Sequence, residues 1–198
     1  RSLEEWYQTP GIELSAKGPV LVTPPWNFPC AIPLGGVVAA LAAGNSVIFK
    51  PAPEVTMTAW KTAEILYAAG FDKKTLQFVM CEDKPFGSKL VKDERITSII
   101  LTGATETAEL FVGMRPGLNL MAETGGKNVT IATDLCDRDL AARDIIQSAF
   151  GHAGQKCSAC SIAILEENLY NDKHFISLLR DTAASMKVGQ AYDSSTLI

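Results

Sequence analysis

The sequence predicts an α/β protein: a Rossmann-like parallel sheet with helices on both faces, followed by the first part of a second α/β domain. Two observations predict it. From Val20 onward, short β-branched or apolar runs alternate with longer helical stretches, the pattern of successive βαβ units. After Gly125-Gly126 the alternation restarts, which places a boundary near residue 124 and divides the chain into 1–124 and 125–198. The first part reads as a nearly complete sheet and the second as unfinished.

The opening residues, Arg1 to Trp6, read as a helix already under way, and Leu197-Ile198 end the chain without a cap or polar tail. Both ends therefore look cut, and the chain reads as a fragment. Strands are expected at Val20 to Thr23, Ser46 to Lys50, Gln77 to Met80, Ser98 to Thr102 and Leu118 to Ala122. Helices are expected between them, at Ala31 to Ala43, Thr56 to Ala69, Pro85 to Val91 and Glu106 to Met114. Gly44 and Gly70 fall where a left-handed helix stop belongs. The apolar stretch from Ala31 to Ala43 carries Pro33 and Gly35-Gly36 and is too short to span a bilayer, so it reads as a buried helix. In the second part, a strand at Val129 to Ala132 precedes a helix from Asp139 to Phe150, with Asp137 and Asp139 as its N-terminal acids. A strand at Ser161 to Leu165 and a helix from Asp172 follow.

Composition narrows the function. The chain has 198 residues, 47% of them hydrophobic, which fits a globular protein and argues against disorder. Its net charge is −4 with the basic residues scattered, so no footprint for DNA or RNA is visible, while a small phosphate-bearing molecule needs only a local site. Five cysteines, at 30, 81, 136, 157 and 160, are an odd number, and no signal peptide precedes them. Reduced thiols in a cytoplasm are expected.

Three elements carry chemistry. Cys157 lies in Gly154-Gln155-Lys156-Cys157-Ser158-Ala159-Cys160-Ser161. A thiol attacks only as thiolate, in a polar or electropositive niche with an open approach. Gly154 and Ser158 leave that approach open, and Lys156 or main-chain amides favour the anion. Glu123 ends an apolar strand and enters Thr124-Gly125-Gly126-Lys127, where a carboxylate can be partly buried and still reach a water as general base. Asn27, in Pro25-Trp26-Asn27-Phe28-Pro29, offers an amide donor for an oxyanion, on a backbone restricted by two prolines.

Blander readings compete with each. An isolated cysteine more often packs as a small hydrophobe, as expected for Cys30, Cys81 and Cys136, and an isolated Glu123 would be a surface acid. Cys157-x-x-Cys160 also fits a redox pair or half a zinc site with His152. Redox pairs usually open a helix, whereas this one runs into a strand, and no second CxxC completes a metal shell, so no metal is expected. For a cofactor, GxGxxG is absent, and Asn128 after Gly126-Lys127 rules out a P-loop. Thr102-Gly103-Ala104 instead follows a strand and opens a helix, an arrangement that points main-chain amides at a pyrophosphate. Lys50 closes another strand at the same carboxyl edge. Either feature alone is also ordinary loop chemistry.

From about residue 17 onward the chain resembles the middle of an aldehyde dehydrogenase. Pro-Trp-Asn-Phe-Pro, Lys50-Pro51, Thr102-Gly103, Glu123-x-Gly-Gly-Lys and Gly-Gln-x-Cys occur in that superfamily's order and spacing. Glu123 to Asn128 and Gly154 to Ser161 are most similar to the glutamate semialdehyde (1-pyrroline-5-carboxylate) dehydrogenases of proline catabolism, in bacteria often part of a bifunctional proline utilisation protein. The resemblance implies NAD-dependent oxidation of an aldehyde through a Cys157 thioester, with the oxyanion held by the Asn27 amide and the Cys157 main-chain N–H and the thioester hydrolysed through Glu123. Ser158 would help bind the substrate's carboxylate.

For NAD the same resemblance implies Thr23, Pro24 and Trp26 along the cleft, Lys50 at the adenosine ribose, and Phe86 and Gly87 near the adenine. Thr102, Gly103, Ala104 and Thr107 would line the pyrophosphate and adenine region, with Thr124 and Gly125 approaching the nicotinamide. Two departures stand out. Ala104 replaces a common serine, and Pro53 replaces a common acid, leaving Glu54 one position later to reach a ribose hydroxyl and disfavour NADP. A later glutamate, a glycine-rich substrate loop and a dimer-building hairpin of the superfamily lie outside these residues, so the parent is expected to be a homo-oligomer and the fragment to bind NAD weakly with little turnover. The rivals are a dehydrogenase for another aldehyde, a CoA-acylating relative, which normally lacks the Glu123 base, and a non-catalytic nucleotide-binding module.

Overall fold

The structure, a computed structural model, describes residues 3–198. Of the expected opening helix, α1 is Leu3–Tyr7, while Arg1 and Ser2 lie outside the described residues. The chain forms two compact units, one ending at Thr124 and the other comprising Gly125–Ile198.

The first unit is built on five parallel strands: β1 (Val20–Thr23), β2 (Val47–Phe49), β3 (Leu76–Phe78), β4 (Ser98–Gly103) and β5 (Leu120–Thr124). The connecting helices are α2 (Ala31–Ala42), α3 (Thr56–Ala68), α4 (Ser88–Lys92) and α5 (Thr105–Met114), with a 3-10 turn at Pro53–Val55. The spatial order is β3-β2-β1-β4-β5, so the chain lays strands outward on one side of β1 and then returns to its other side. Alternate residues of a strand face opposite ways, and β1 shows the result. Val20 and Val22 enter one core with Val37, Leu41, Phe49 and Ala59 from β2, α2 and α3. Leu21 enters the other with Val91, Ile96 and Ile99, against which Phe111 and Met114 of α5 pack. Each such buried Val, Leu, Ile or Phe side chain stabilises the fold by about 1.5–3 kcal/mol. Helix α2 lies close to the sheet: a Cβ on Gly36 would stand 3.1 Å from Val22 Cγ1. Gly44 and Gly70 follow α2 and α3 at φ 78° and 108°, the left-handed stops expected of them.

The expected helix from Pro85 begins later. Asp83–Gly87 is a wide turn with extended backbone at Lys84, because a proline ring disfavours the helical conformation of the residue before it, and α4 starts at Ser88.

The second unit pairs β6 (Asn128–Ala132) in parallel with β7 (Cys160–Leu165). Its helices are α6 (Arg138–Phe150), α7 (Glu167–Asn171) and α8 (Lys173–Ala184), and its core joins Ala132, Ala142, Ile145, Leu169 and Phe175. The five residues of α7 are too few to show a helical period in the sequence. Of the two expected acids of α6, Asp137 is the cap, accepting from the Leu140 N–H at 3.0 Å. Asp172 caps α8 through the His174 and Phe175 N–H groups. The Phe175 N–H and then the Arg138 guanidinium hold its carboxyl below the usual range. On the sheet, Val129, Ile131, Ile162 and Ile164 remain exposed.

Candidate functional site

In the first unit a cleft of about 370 Å³ opens at the carboxyl ends of β1, β2 and β4. The strand order reverses between β1 and β4, and open α/β sheets bind ligands in the crevice that such a reversal leaves. Leu21, Val91, Leu101, Phe111 and Met114 supply apolar walls, and Thr23, Lys50, Thr102 and Thr107 supply polar groups. This mixture of apolar walls and a few placed polar groups suits a small-molecule site.

Two features give the cleft its electrostatics. Lys50, its side chain only 13% exposed, donates from Nζ to Asp83 Oδ1 at 2.9 Å, and Asp83 stands in solvent at 91% exposure. At β4, Ala104 is the extended N-cap residue of α5 and makes no side-chain cap. The first N–H groups of a helix have no intrahelical carbonyl to meet, so they favour an anion.

The structure gathers ten of the thirteen expected cofactor residues around this cleft: Thr23, Pro24, Trp26, Lys50, Glu54, Gly87, Thr102, Gly103, Ala104 and Thr107. Phe86, Thr124 and Gly125 do not line it. The Phe86 ring is exposed on the wide turn, with Lys89 Nζ 5.7 Å from its centroid. Thr124 ends β5, one strand beyond β4, and Gly125 begins the second unit. Glu54 is exposed at the rim, while the acid paired with Lys50 is Asp83, which the sequence reading missed. Its only signal was the Glu82-Asp83 pair following β3, and it needs the strand order to bring β3 beside β2.

Glu123 lies on β5 and stands in register with Thr102 of β4, exposed at the same carboxyl edge. Asn27 is half-buried four residues beyond β1. Both belong to the first unit, and Cys157 and Ser158 to the second.

In the second unit Cys157 and Ser158 are the central residues of a turn closed by the Ala159 N–H donating to the Lys156 carbonyl at 3.1 Å. Both are exposed. His152, Ala153 and Gly154, just before this turn, all lie in the left-handed region, at φ 57°, 54° and 70°. That conformation costs a side-chain-bearing residue about 1–2 kcal/mol, and such strain gathers at functional sites. Asn128, at the start of β6, donates from Nδ2 to the Cys157 carbonyl at 2.6 Å and to the Ala159 carbonyl at 3.1 Å. Cys160 begins β7, its thiol donating to the Ile162 carbonyl. Among the described residues, no three His, Cys, Asp or Glu side chains group as a metal shell would require, and no helix is long and apolar enough to cross a membrane.

A sequence profile described as the aldehyde dehydrogenase family matches residues 4–198. The 1-pyrroline-5-carboxylate dehydrogenase of Staphylococcus saprophyticus is 39% identical over 163 residues, which are 78% of this chain and 32% of that protein. The Geobacillus enzyme of the same name is 37% identical over 186 residues, 90% of this chain and 36% of its own length. The chain thus spans about a third of the curated relatives it matches. A solved structure of Proline Utilization A from Corynebacterium freiburgense superposes with a TM-score of 0.90 at 44% identity, over 96% of this chain and 20% of that one. The aldehyde dehydrogenase KauB from Pseudomonas aeruginosa gives 0.86 at 27% identity, over 92% and 37%.

Proposed function

This chain belongs to the aldehyde dehydrogenase family, and on that premise we propose that it is the dinucleotide-binding and nucleophile-bearing part of an enzyme that oxidises L-glutamate γ-semialdehyde to glutamate with NAD. The observation that carries the reading is the cleft at the β1/β4 reversal, where Lys50 and the amino end of α5 meet apolar walls. The relatives named 1-pyrroline-5-carboxylate dehydrogenase support the choice of substrate.

The cleft residues fit such a cofactor. In this reading the N–H groups at the start of α5 hold the pyrophosphate, and Lys50 with Asp83 meets the adenosine ribose hydroxyls as donor and acceptor. Two acids at the rim, Asp83 and Glu54, would lie against a 2′-phosphate, and the Lys50 charge is already matched, so NAD is preferred to NADP. Bound NAD supplies the hydride acceptor.

The chain's own residues do the rest. The Cys157 thiolate adds to the aldehyde carbon, while the Asn27 amide and the Cys157 N–H donate to the oxygen that gains charge. After hydride departs, the carbon is a thioester on Cys157. Glu123 takes a proton from the water that hydrolyses it, and the acid and the free thiolate are released. Ser158, next to the nucleophile, donates to the substrate's carboxylate.

The test is turnover of glutamate semialdehyde by an enzyme carrying this chain. Cys157→Ala should abolish acid formation, and Glu123→Gln should leave a burst of NADH without sustained turnover. Unchanged turnover in Cys157→Ala would sink the mechanism.

A further inference from the structure

We infer that Asn128 is a positioning residue for the Cys157 nucleophile, acting as a clamp that holds the backbone of its turn; the inference rests on the proposed role of Cys157. The thiol's own side chain is exposed, so packing does not aim it. Its direction must come from the two peptide planes that flank its Cα, and each plane is held by a different bond.

The plane before Cys157 is held by the turn. The Lys156 carbonyl accepts from the Ala159 N–H at 3.1 Å. In a trans peptide the N–H points opposite to the carbonyl, so the Cys157 N–H faces away from the turn's interior. It is then free to donate to an oxygen on the sulfur's substrate. The plane after Cys157 is held by Asn128, whose Nδ2 reaches the Cys157 carbonyl at 2.6 Å. The same nitrogen reaches the Ala159 carbonyl at 3.1 Å, so its two hydrogens can serve the two carbonyls that flank Ser158.

Strand pairing explains why this residue can do so. Asn128 pairs with Cys160, but Val129 pairs with Ile162, so β7 carries one extra residue, a bulge at the mouth of the turn. A bulge ends regular pairing and re-aims the chain beside it. There the amide side chain bonds main-chain carbonyls in the ladder's place, across 29 and 31 residues of sequence. The residue type is specific: only an amide presents two hydrogens on one short, uncharged, planar group. Aspartate has the same shape and would set a carboxylate against two carbonyl oxygens.

The experiment is alkylation of the purified 198-residue chain by limiting iodoacetamide between pH 6 and 9, with each cysteine read by peptide mass spectrometry. Cys136, packed against the core of the same unit, reports whether that unit stays folded. Cys30 is exposed rather than packed as expected and lies at the amino end of α2, so the reference for an ordinary thiol is a short cysteine peptide added to the same reaction. In the parent chain Cys157 should label faster than the reference peptide. In Asn128→Asp and Asn128→Ala the Cys157 rate should fall about tenfold and its pH profile move, while Cys136 stays protected, and Asn128→Ser, which keeps one donor, should fall between. Unchanged Cys157 kinetics in these variants would overturn the clamp. So would loss of Cys136 protection in all three, which would make Asn128 a residue of the fold. If Cys157 in the parent chain labels no faster than the reference peptide, the nucleophile reading itself fails, and the clamp with it.

Discussion

The five-stranded unit and the two-stranded unit hold their candidate functional residues by different means. In the first, cores cover both faces of the sheet, and the cleft residues sit at the ends of strands that are themselves buried. In the second, one core serves α6 and α8, Val129, Ile131, Ile162 and Ile164 are exposed, and the proposed nucleophile Cys157 sits on a turn. Hydrophobic burial can place the backbone at a strand end, because each strand is fixed by its neighbours over its whole length. A turn has no such support. Its placement falls to hydrogen bonds, here the turn's own bond and the Asn128 amide, and to the left-handed run before it.

The largest effect that would test this contrast is expected at Phe49. It is fully buried, packs edge-on against Phe78 at 5.5 Å between centroids, and ends the strand that presents Lys50. Phe49→Ala should cost about 3–5 kcal/mol in denaturant unfolding, and a loss below about 1 kcal/mol would break the comparison. A smaller effect of opposite sign is expected at the amino end of α5. Ala104→Ser supplies the missing cap and should stabilise by about 1 kcal/mol. Calorimetry with NAD would show whether the added hydroxyl also tightens binding. In the second unit, Ile131 is 71% exposed, and Ile131→Thr should change stability by no more than about 0.5 kcal/mol. A larger loss would mean that the exposed sheet face is held in some way that burial does not reveal.

The smallest effect is in acid, and it samples both units. Hydrogen bonds from the Arg95 side chain and N–H lower the Asp93 carboxyl from 3.8 to about 2. In the second unit the Lys187 ammonium, then Ser195, lower Asp193 to the same value. Because the folded value lies below the unfolded one, each contribution is complete above about pH 4 and is lost as pH falls toward 2. Unfolding measured from pH 6 to pH 2 should show this decline, and Asp93→Asn and Asp193→Asn should each remove part of it. A curve unchanged by both substitutions would remove these ion pairs from the account.

Much of the fold was legible because its signals are local. The β-branched run at Val20 to Thr23, the left-handed stops at Gly44 and Gly70, and the acid Asp137 at the amino end of α6 each depend on residues within a turn or two. Misreadings came where local signals conflict or run short, as at Pro85 within its wide turn and in the five residues of α7. Around the cleft, Lys50 and Thr102-Gly103-Ala104 could be read from their place at strand ends. Phe86 could not, because neither its exposure nor the Lys89 ammonium over its ring is written in the order of residues.

By itself, then, the amino-acid order determined the alternation of strands and helices, the parallel sheet, and the identity of the thiol, the acid and the amide that bear the proposed chemistry. Tertiary structure alone decided their company. Asp83 meets Lys50 across 33 residues, and Asn128 meets the carbonyl of Cys157 across 29. The physical reason is range: helix and strand periods arise from neighbours along the chain, whereas a hydrogen bond between distant segments exists only once strand order and register have brought them within about 3 Å.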